Sequence, residues 1–343
     1  MYATHNVKHV LFSLALASLL TLTALAAEPG APYPNTSAVS DQKAGSVLIY
    51  NVYSSSSTDP QDLNARISLT NTHGVTPAYV HFFFVDGASC SVADSYVCLT
   101  PNQTVSFLMS DVDPGITGYL VAIAVDEATG CPRSFNYLIG DEFCKLPSGH
   151  FGNLLAEAFS AEYEGVAVCD GNSPTATLYF DGSGRQGSYN RLPRMLAADN
   201  IADRATGNST LLVINRIAGN LSLAGAPLGS LFGLLYDDGE QGFSFSINPT
   251  NCQLRAELNN NFPRTVPRFE TIIPAGRSGW LKVYTTDTNG GILGAVFNCH
   301  PETGSVANAY NGGHNLHKLT LNDANAGTAN APSLIVPVFP PTC

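Results

Sequence analysis

Charged residues are scarce in this chain of 343 residues. They make up 13% of the sequence, with 16 Lys and Arg against 27 Asp and Glu, whereas an average soluble domain has about 25%. A protein that binds a phosphate backbone needs clustered basic residues, so the composition argues against nucleic-acid binding. The chain also has no polybasic segment that would attract an anionic lipid surface.

Several catalytic and metal-binding motifs are missing as well. The sequence has no C-x-x-C, no G-x-S-x-G and no complete twelve-residue calcium loop, which are signatures of redox or zinc sites, of α/β-hydrolases and of EF-hands. We therefore expect a non-enzymatic protein without a resident cofactor. The alternative for a cofactor is Ca²⁺ bound by acidic loops.

The first 26 residues have the three parts of a secretory signal. Lys8 lies in a short polar start, Val10 to Leu22 is an apolar run, and Ala24-Leu25-Ala26 is a small-x-small cleavage site. No later segment is apolar for long enough to span a bilayer, so no transmembrane segment is expected after cleavage. The predicted location is extracellular or at the cell surface, with the periplasm as the alternative.

All eight cysteines follow this signal. An even number of cysteines in an exported chain predicts disulfides. Cys90 and Cys98 flank a short polar loop between two strand-like runs, so we expect them to pair. The other pairings stay open.

Short runs rich in Val, Ile, Phe and Tyr alternate with turn residues along the chain, which is typical of strands. Segments match in order between the two halves, as an internal duplication would produce. The matched segments are Ile67–Asn71 with Leu211–Asn215, Val85–Gly87 with Asp237–Gly239, Gly118–Asp126 with Gly279–Asp287, Phe135-Asn136 with Phe297-Asn298, and Gly149-His150 with Gly313-His314.

The pattern predicts an all-β fold of two tandem β-sandwiches joined by a short helical linker. The expected parts are a signal peptide (1–26), a flexible lead (27–43), sandwich 1 (44–148), a linker (149–173) with a helix near Asn153–Glu164, and sandwich 2 (174–343) with a C-terminal edge strand near Ser333–Phe339. At this level the chain resembles secreted immunoglobulin-like modules in tandem, as in uncharacterised exported bacterial proteins. The similarity is architectural and implies no activity.

The segment Gly313-His-Asn-Leu-His317 is the polar cluster that most strongly indicates a metal site. His314 and His317, together with His300, would supply three imidazoles to Zn or Cu. The alternative is polar packing at a seam between domains.

Two acidic loops would offer oxygens to Ca²⁺. One contains Asp111 and Asp113, and the other contains Asp237 and Asp238. The alternative is that these are ordinary turn residues, whose side chains bind their own backbone.

The function that these features favour is structural or adhesive, outside the cell, with partners that are second copies of the chain or extracellular glycans and proteins. The alternative is a glycan- or ligand-binding module that uses the acidic loops and exposed tyrosines near turns, with or without Ca²⁺. The candidate tyrosines are Tyr50, Tyr53, Tyr179, Tyr189 and Tyr310. A third hypothesis is a metal-dependent enzyme built on the histidines.

Tyr119 and Trp280 occupy matching places in the two halves and are expected to be core or half-buried.

Overall fold

A computed structural model describes most of the chain, and the predicted signal over residues 1–26 lies outside the described residues. The described residues are 31–32, 37–163, 167–170, 172–288, 290–300, 310–323 and 331–342. Their regular structure is strand apart from two four-residue helices, α1 (Met109–Val112) and α2 (Phe269–Ile272), which confirms the all-β class. Within these ranges, no helix has the length and apolar character needed to cross a bilayer.

Nine strands of the first half build two sheets. The first ten strands in chain order are β1 (Ala31–Pro32), β2 (Val47–Ser54), β3 (Ala65–Asn71), β4 (Ala78–Asp86), β5 (Val92–Leu99), β6 (Thr104–Leu108), β7 (Thr117–Val125), β8 (Leu138–Lys145), β9 (Phe151–Leu155) and β10 (Glu157–Phe159). The sheet orders are β10-β2-β7-β4-β5 and β6-β3-β8-β9. One core cluster contains side chains of both sheets, among them Tyr50, Phe82, Leu69 and Leu138. We call β2 to β10 the first repeat.

The second half builds three sheets, one of which includes β1. Its strands are β11 (Thr175–Tyr179), β12 (Pro193–Ala202), β13 (Ser209–Arg216), β14 (Gly219–Asn220), β15 (Ala224–Gly225), β16 (Leu231–Asp237), β17 (Gly242–Ile247), β18 (Gln253–Glu257), β19 (Ser278–Thr285), β20 (Ile292–His300), β21 (Tyr310–Asn315), β22 (His317–Leu321) and β23 (Ser333–Pro337). The orders are β1-β22-β12-β19-β16-β17, β18-β13-β20-β21 and β11-β23-β14-β15. We call the first two of these sheets, without β1, the second repeat, and the third the cover sheet.

The two repeats have the same strand order. β22-β12-β19-β16-β17 copies β10-β2-β7-β4-β5, and β18-β13-β20-β21 copies β6-β3-β8-β9. Gly118 lies opposite Asp86 as Gly279 lies opposite Asp237. At both glycines an added Cβ would lie within 2.2 Å of a carbonyl oxygen of the neighbouring strand, so this close approach requires glycine in each copy. The register agrees with the sequence match between Gly118–Asp126 and Gly279–Asp287.

The other four matches are displaced in the structure. Asp86 corresponds to Asp237 rather than to Asp238, and Phe297 corresponds to Phe143 rather than to Phe135.

Leu69 lies opposite Gly140, and Ile214 lies opposite Gly294. Both side chains face the core of their own repeat. Leu69 therefore corresponds to Ile214, and the match of Ile67–Asn71 with Leu211–Asn215 was wrong by one residue, which would turn every side chain to the other face.

A backbone hydrogen bond near the end of each repeat shows that the match of Gly149-His150 with Gly313-His314 is displaced. The backbone N–H of Ala156 donates to Gly140 as that of Leu316 donates to Gly294. His314 therefore corresponds to Leu154 and not to His150.

The predicted helical linker is wrong. Its helix-forming sequence builds β9 and β10 instead, and residues 151–155 alternate between exposed and buried side chains. Pairing with β8 and β2 satisfies this alternation, so tertiary pairing overrides local helix propensity.

Both ends of the chain pack more closely than the sequence suggests. β23 lies between β11 and β14, not at an edge, and Pro337 is its last residue. In the predicted flexible lead, Val39 is fully buried, and the backbone of Ala31–Pro32 pairs with β22.

The cover sheet forms a third layer on the first repeat. Leu334 and Val336 of β23 share a core cluster with Phe83 and Val121, which face outward from the five-stranded sheet. The C-terminal strand is therefore part of the layer that covers the first repeat.

A buried amide network joins the two repeats. Asn51 Nδ2 donates to Asn315 Oδ1 at 2.8 Å, and Asn215 Nδ2 donates to the Asn51 carbonyl at 2.8 Å. Gln253 Nε2 donates to Asn215 Oδ1 at 2.8 Å and to the same Asn51 carbonyl at 3.1 Å. All four side chains are buried, so losing one partner would leave the others unsatisfied at about 1–3 kcal/mol each.

The predicted Cys90–Cys98 disulfide is wrong. Cys90 bonds Cys252, and Cys131 bonds Cys169, while Cys98 belongs to another disulfide. Cys90 lies in the turn before β5 and Cys98 near the far end of that strand, about 20 Å away at the usual strand rise. The short loop in the sequence is itself a strand, which separates the two thiols.

Replacing Cys252 by serine tests how far the Cys90–Cys252 bond holds the repeats together. The bond closes a loop with a sequence separation of 162, so its loss should destabilise the fold by about 2–5 kcal/mol. Urea unfolding of the oxidised protein measures this change. Cys299 is a free thiol, and Cys299→Ser is the control; equal losses in the two variants would contradict the prediction.

A buried imidazole in the first repeat makes stability depend on pH. His81 is 1% exposed, lies between the rings of Phe83 and Tyr96, and has Nε2 2.9 Å from Asp94 Oδ2. Burial lowers the pKa of His81, and Asp94 opposes this effect. The unfolded chain then binds the proton more tightly, so this contribution to stability is present above about pH 6.5 and is lost as the pH falls below it.

His81→Phe should make the loss of stability between neutral and mildly acidic pH less steep. Phenylalanine is the residue at the corresponding position of the second repeat, Phe232. Asp94→Asn removes the carboxylate that opposes the pKa shift and should make the loss steeper. Urea unfolding at a series of pH values measures both slopes, and an unchanged slope in His81→Phe would show that another group is responsible.

Candidate functional site

Asp199, His314 and His317 form a compact polar group, which we call the His–Asp cluster. Asp199 Oδ1 lies 3.4 Å from Nε2 of His314 and 3.4 Å from Nε2 of His317. The three ligand atoms lie within 4.8 Å of one another, and in the part of the chain that the structure describes this is the one such group of metal-ligating side chains. All three side chains are exposed to solvent.

Three backbone segments place the cluster. Asp199 lies in a bulge of β12, where the register shifts between Ala198 and Ile201 and Asn200 has a φ of 48°. A bulge turns a side chain away from its regular direction. His314 is near the end of β21 and His317 begins β22.

The imidazole of His314 is oriented by the backbone. Its Nδ1 lies 2.9 Å from the Asn315 carbonyl oxygen, which can only accept, so Nδ1 carries the proton and donates. Nε2 is then the ring nitrogen directed toward Asp199.

A cavity of about 550 Å³ adjoins the cluster, lined in part by residues 40–42 and by Leu316 and Lys318. The Lys318 side chain at this cavity is paired, because its Nζ lies 2.8 Å from Oε1 of buried Glu157. It is therefore not a free positive charge beside the cluster. Burial raises the pKa of Glu157 to about 6, and Lys318 opposes that rise.

His300 does not belong to this group. It lies opposite Tyr310 at the other end of β21, with Nε2 3.1 Å from the Thr206 carbonyl. Two of the three predicted metal ligands are thus brought together, and Asp199 takes the third place. Sequence reasoning missed Asp199 because it is far from the histidines along the chain and follows no motif.

The four acidic calcium candidates are not brought together. Asp113 Oδ2 accepts the Tyr53 hydroxyl at 2.6 Å, and Asp111 lies in α1. Asp237 accepts the backbone N–H groups of its own turn, and Asp238 pairs with Arg277, which lowers the pKa of its carboxyl. Asp237 is therefore an ordinary turn residue, which is the alternative to calcium binding.

A second feature is the outer face of the six-stranded sheet, which we call the aromatic face. It consists of side chains that point away from the core on β16 and β19: Phe232, Leu234, Tyr236, Trp280, Lys282 and Tyr284. All are partly exposed, Trp280 to 36%, and none belongs to a core cluster of the described residues. Tyr236 and Trp280 stack at 4.4 Å.

The corresponding face of the first repeat is buried. Val85, Tyr119 and Val121 stand where Tyr236, Trp280 and Lys282 stand in the second repeat, and they lie in the cluster under the cover sheet. Tyr119 is therefore a core residue, whereas Trp280 is half-exposed.

The tyrosines named as glycan candidates differ in exposure, and Tyr50 and Tyr53 are fully buried. Tyr189 is fully buried, and Tyr310 is 47% exposed with its hydroxyl donating to Asn208. A platform that includes Tyr189 is ruled out by its burial.

Comparisons with known proteins add no family. No family model and no curated protein matches the chain. One solved structure with local similarity is a Ruminococcus gnavus beta-glucuronidase, at 13% identity and a TM-score of 0.13, over 79% of this chain and 36% of that enzyme. The chain thus spans about a third of that enzyme's length, and the likeness carries no argument about fold or function.

Proposed function

We propose that this chain is an exported, non-enzymatic structural or adhesive protein made of two immunoglobulin-like sandwiches. The two described disulfides support a location outside the cytoplasm, either extracellular or at the cell surface, with the periplasm as the alternative. Two sheets around one core in each repeat support the sandwich interpretation. The repeats then serve as a rigid scaffold that presents a contact surface.

The observation that carries this function is the aromatic face. Tyr, Trp and Phe are enriched at protein interfaces, and charged residues are depleted at their centres. The face has four aromatic side chains and one charged side chain, Lys282, whose Nζ lies 5.6 Å from the Tyr236 ring. This composition fits a protein contact.

The occupant that we propose is a second copy of this chain. In the first repeat, strands of the cover sheet bury the corresponding face. A β-sheet layer therefore packs well against this kind of face, and a second copy of the chain would supply such a layer. The aromatic face itself carries one charged side chain, Lys282, so a contact made through this face brings few like charges together although the whole chain has a net charge of −11.

Trp280 is the chain's only tryptophan, so intrinsic fluorescence reports directly on the aromatic face. We expect its quenching by acrylamide to decrease as protein concentration rises through the micromolar range, together with an increase in mass by light scattering. Tyr236→Glu places a charge beside Trp280 and should keep the protein monomeric.

The matched control is Val75→Glu, which places the same charge on a side chain that is 80% exposed in the first repeat. It should assemble as the unaltered protein does. A monomer with constant quenching at every concentration would overturn self-association. A change in Trp280 fluorescence on adding glycans to that monomer would then favour the glycan-binding module.

A further inference from the structure

We propose that Asp199, His314 and His317 bind one divalent transition-metal ion of the Zn²⁺ type. This site is independent of the contact made by the aromatic face. It replaces the predicted set of three histidines with two histidines and one carboxylate.

The spacing of the ligand atoms fits such an ion. Zinc binds imidazole nitrogen and carboxylate oxygen at about 2.0–2.2 Å in tetrahedral geometry, which separates two ligands by about 3.3 Å. The distances from Asp199 Oδ1 to the two Nε2 atoms are both 3.4 Å. Three protein ligands leave the fourth position open to water from the adjoining cavity.

The orientation of His314 supplies a second observation. Because its Nδ1 donates to the Asn315 carbonyl, Nε2 is the ring nitrogen that faces Asp199 Oδ1, and their separation of 3.4 Å is longer than a usual N–H···O hydrogen bond. A metal ion held between these two atoms would bind both of them. A backbone carbonyl that accepts from the other ring nitrogen is also the usual support of a metal-binding histidine.

Comparison of the repeats supplies a third observation. By register, the first repeat has Asn51, Leu154 and Glu157 where the second has Asp199, His314 and His317. Asn51 is buried in the seam, Leu154 is in the core, and Glu157 pairs with Lys318. The shared scaffold therefore does not require ligating side chains at these three positions, and only the second copy has them.

The ligand types select the class of ion. Imidazole nitrogen suits Zn, Cu and Ni, whereas Ca²⁺ and Mg²⁺ prefer sets made entirely of oxygen atoms. The pairing of Lys318 with Glu157 leaves the Asp199 carboxylate to balance the charge of the ion. Bound there, the ion would join the β12 bulge to the connection between β21 and β22.

Calorimetric titration of the metal-free, oxidised protein with Zn²⁺ alone tests the site. We expect one equivalent to bind at neutral pH and to raise the melting temperature, with weaker binding at acidic pH because protons compete for the imidazoles. Ca²⁺ at the same concentration should give no heat and no shift.

Asp199→Asn and His317→Gln should each weaken Zn²⁺ binding about tenfold or more and remove most of the thermal shift. The control is His300→Gln, which changes a histidine of the same repeat outside the cluster and should bind as the unaltered protein does. Circular dichroism of each metal-free variant shows whether it is folded. Absence of binding, or binding that persists in both cluster variants, would overturn the proposal.

Discussion

The buried amides at the seam are the constraint on which the relation between the two repeats depends. Asn51 lies in a bulge of β2, and its carbonyl and side chain bond Asn215, Gln253 and Asn315 of the second repeat. Buried amides have direction as well as strength, because leaving a buried donor or acceptor unmatched costs more than a typical hydrogen bond contributes to stability. Apolar packing alone would tolerate sliding between the repeats, whereas this network has one register.

The Cys90–Cys252 disulfide reinforces the same seam. Cys252 precedes Gln253 directly, so the covalent link and the amide network hold the same end of β18 against the first repeat. The outer face of the second repeat's four-stranded sheet adds apolar contact, since Leu211, Val213 and Phe297 belong to the core cluster of the first repeat. The two copies therefore share part of one core.

The two repeats have equivalent sheet faces and equivalent bulges, but these features have different surroundings in each repeat. The first repeat buries its face under the cover sheet and its bulge in the seam. The second leaves its face half-exposed, with Trp280 near one end, and directs its bulge toward two histidines. The features on which the proposals rest are thus the positions where the second copy departs from the first.

Much of this could be read from the sequence because it depends on local pattern. Alternating apolar residues predict strands, and the all-β class follows from them. The match between Gly118 and Gly279 was found correctly because a close backbone approach requires glycine at that point in each copy. The match at Ile67–Asn71 failed because apolar strands resemble one another when shifted by a residue, and only pairing decides the face. The match at Gly149-His150 failed because it rests on two residues outside a strand, which carry no periodic pattern.

What the sequence determined by itself is the strand content, the presence of two similar halves, the low charge and the pair His314 and His317. The tertiary structure alone decided the Cys90–Cys252 bond, the place of β23 in the cover sheet, and the meeting of Asp199 with the histidines. The reason is physical: these are contacts between residues far apart in the chain, and they form only when sheet pairing and layer packing fix the positions of whole strands. A residue's type shows which bond it can make, and the packing of strands decides which partner comes within reach.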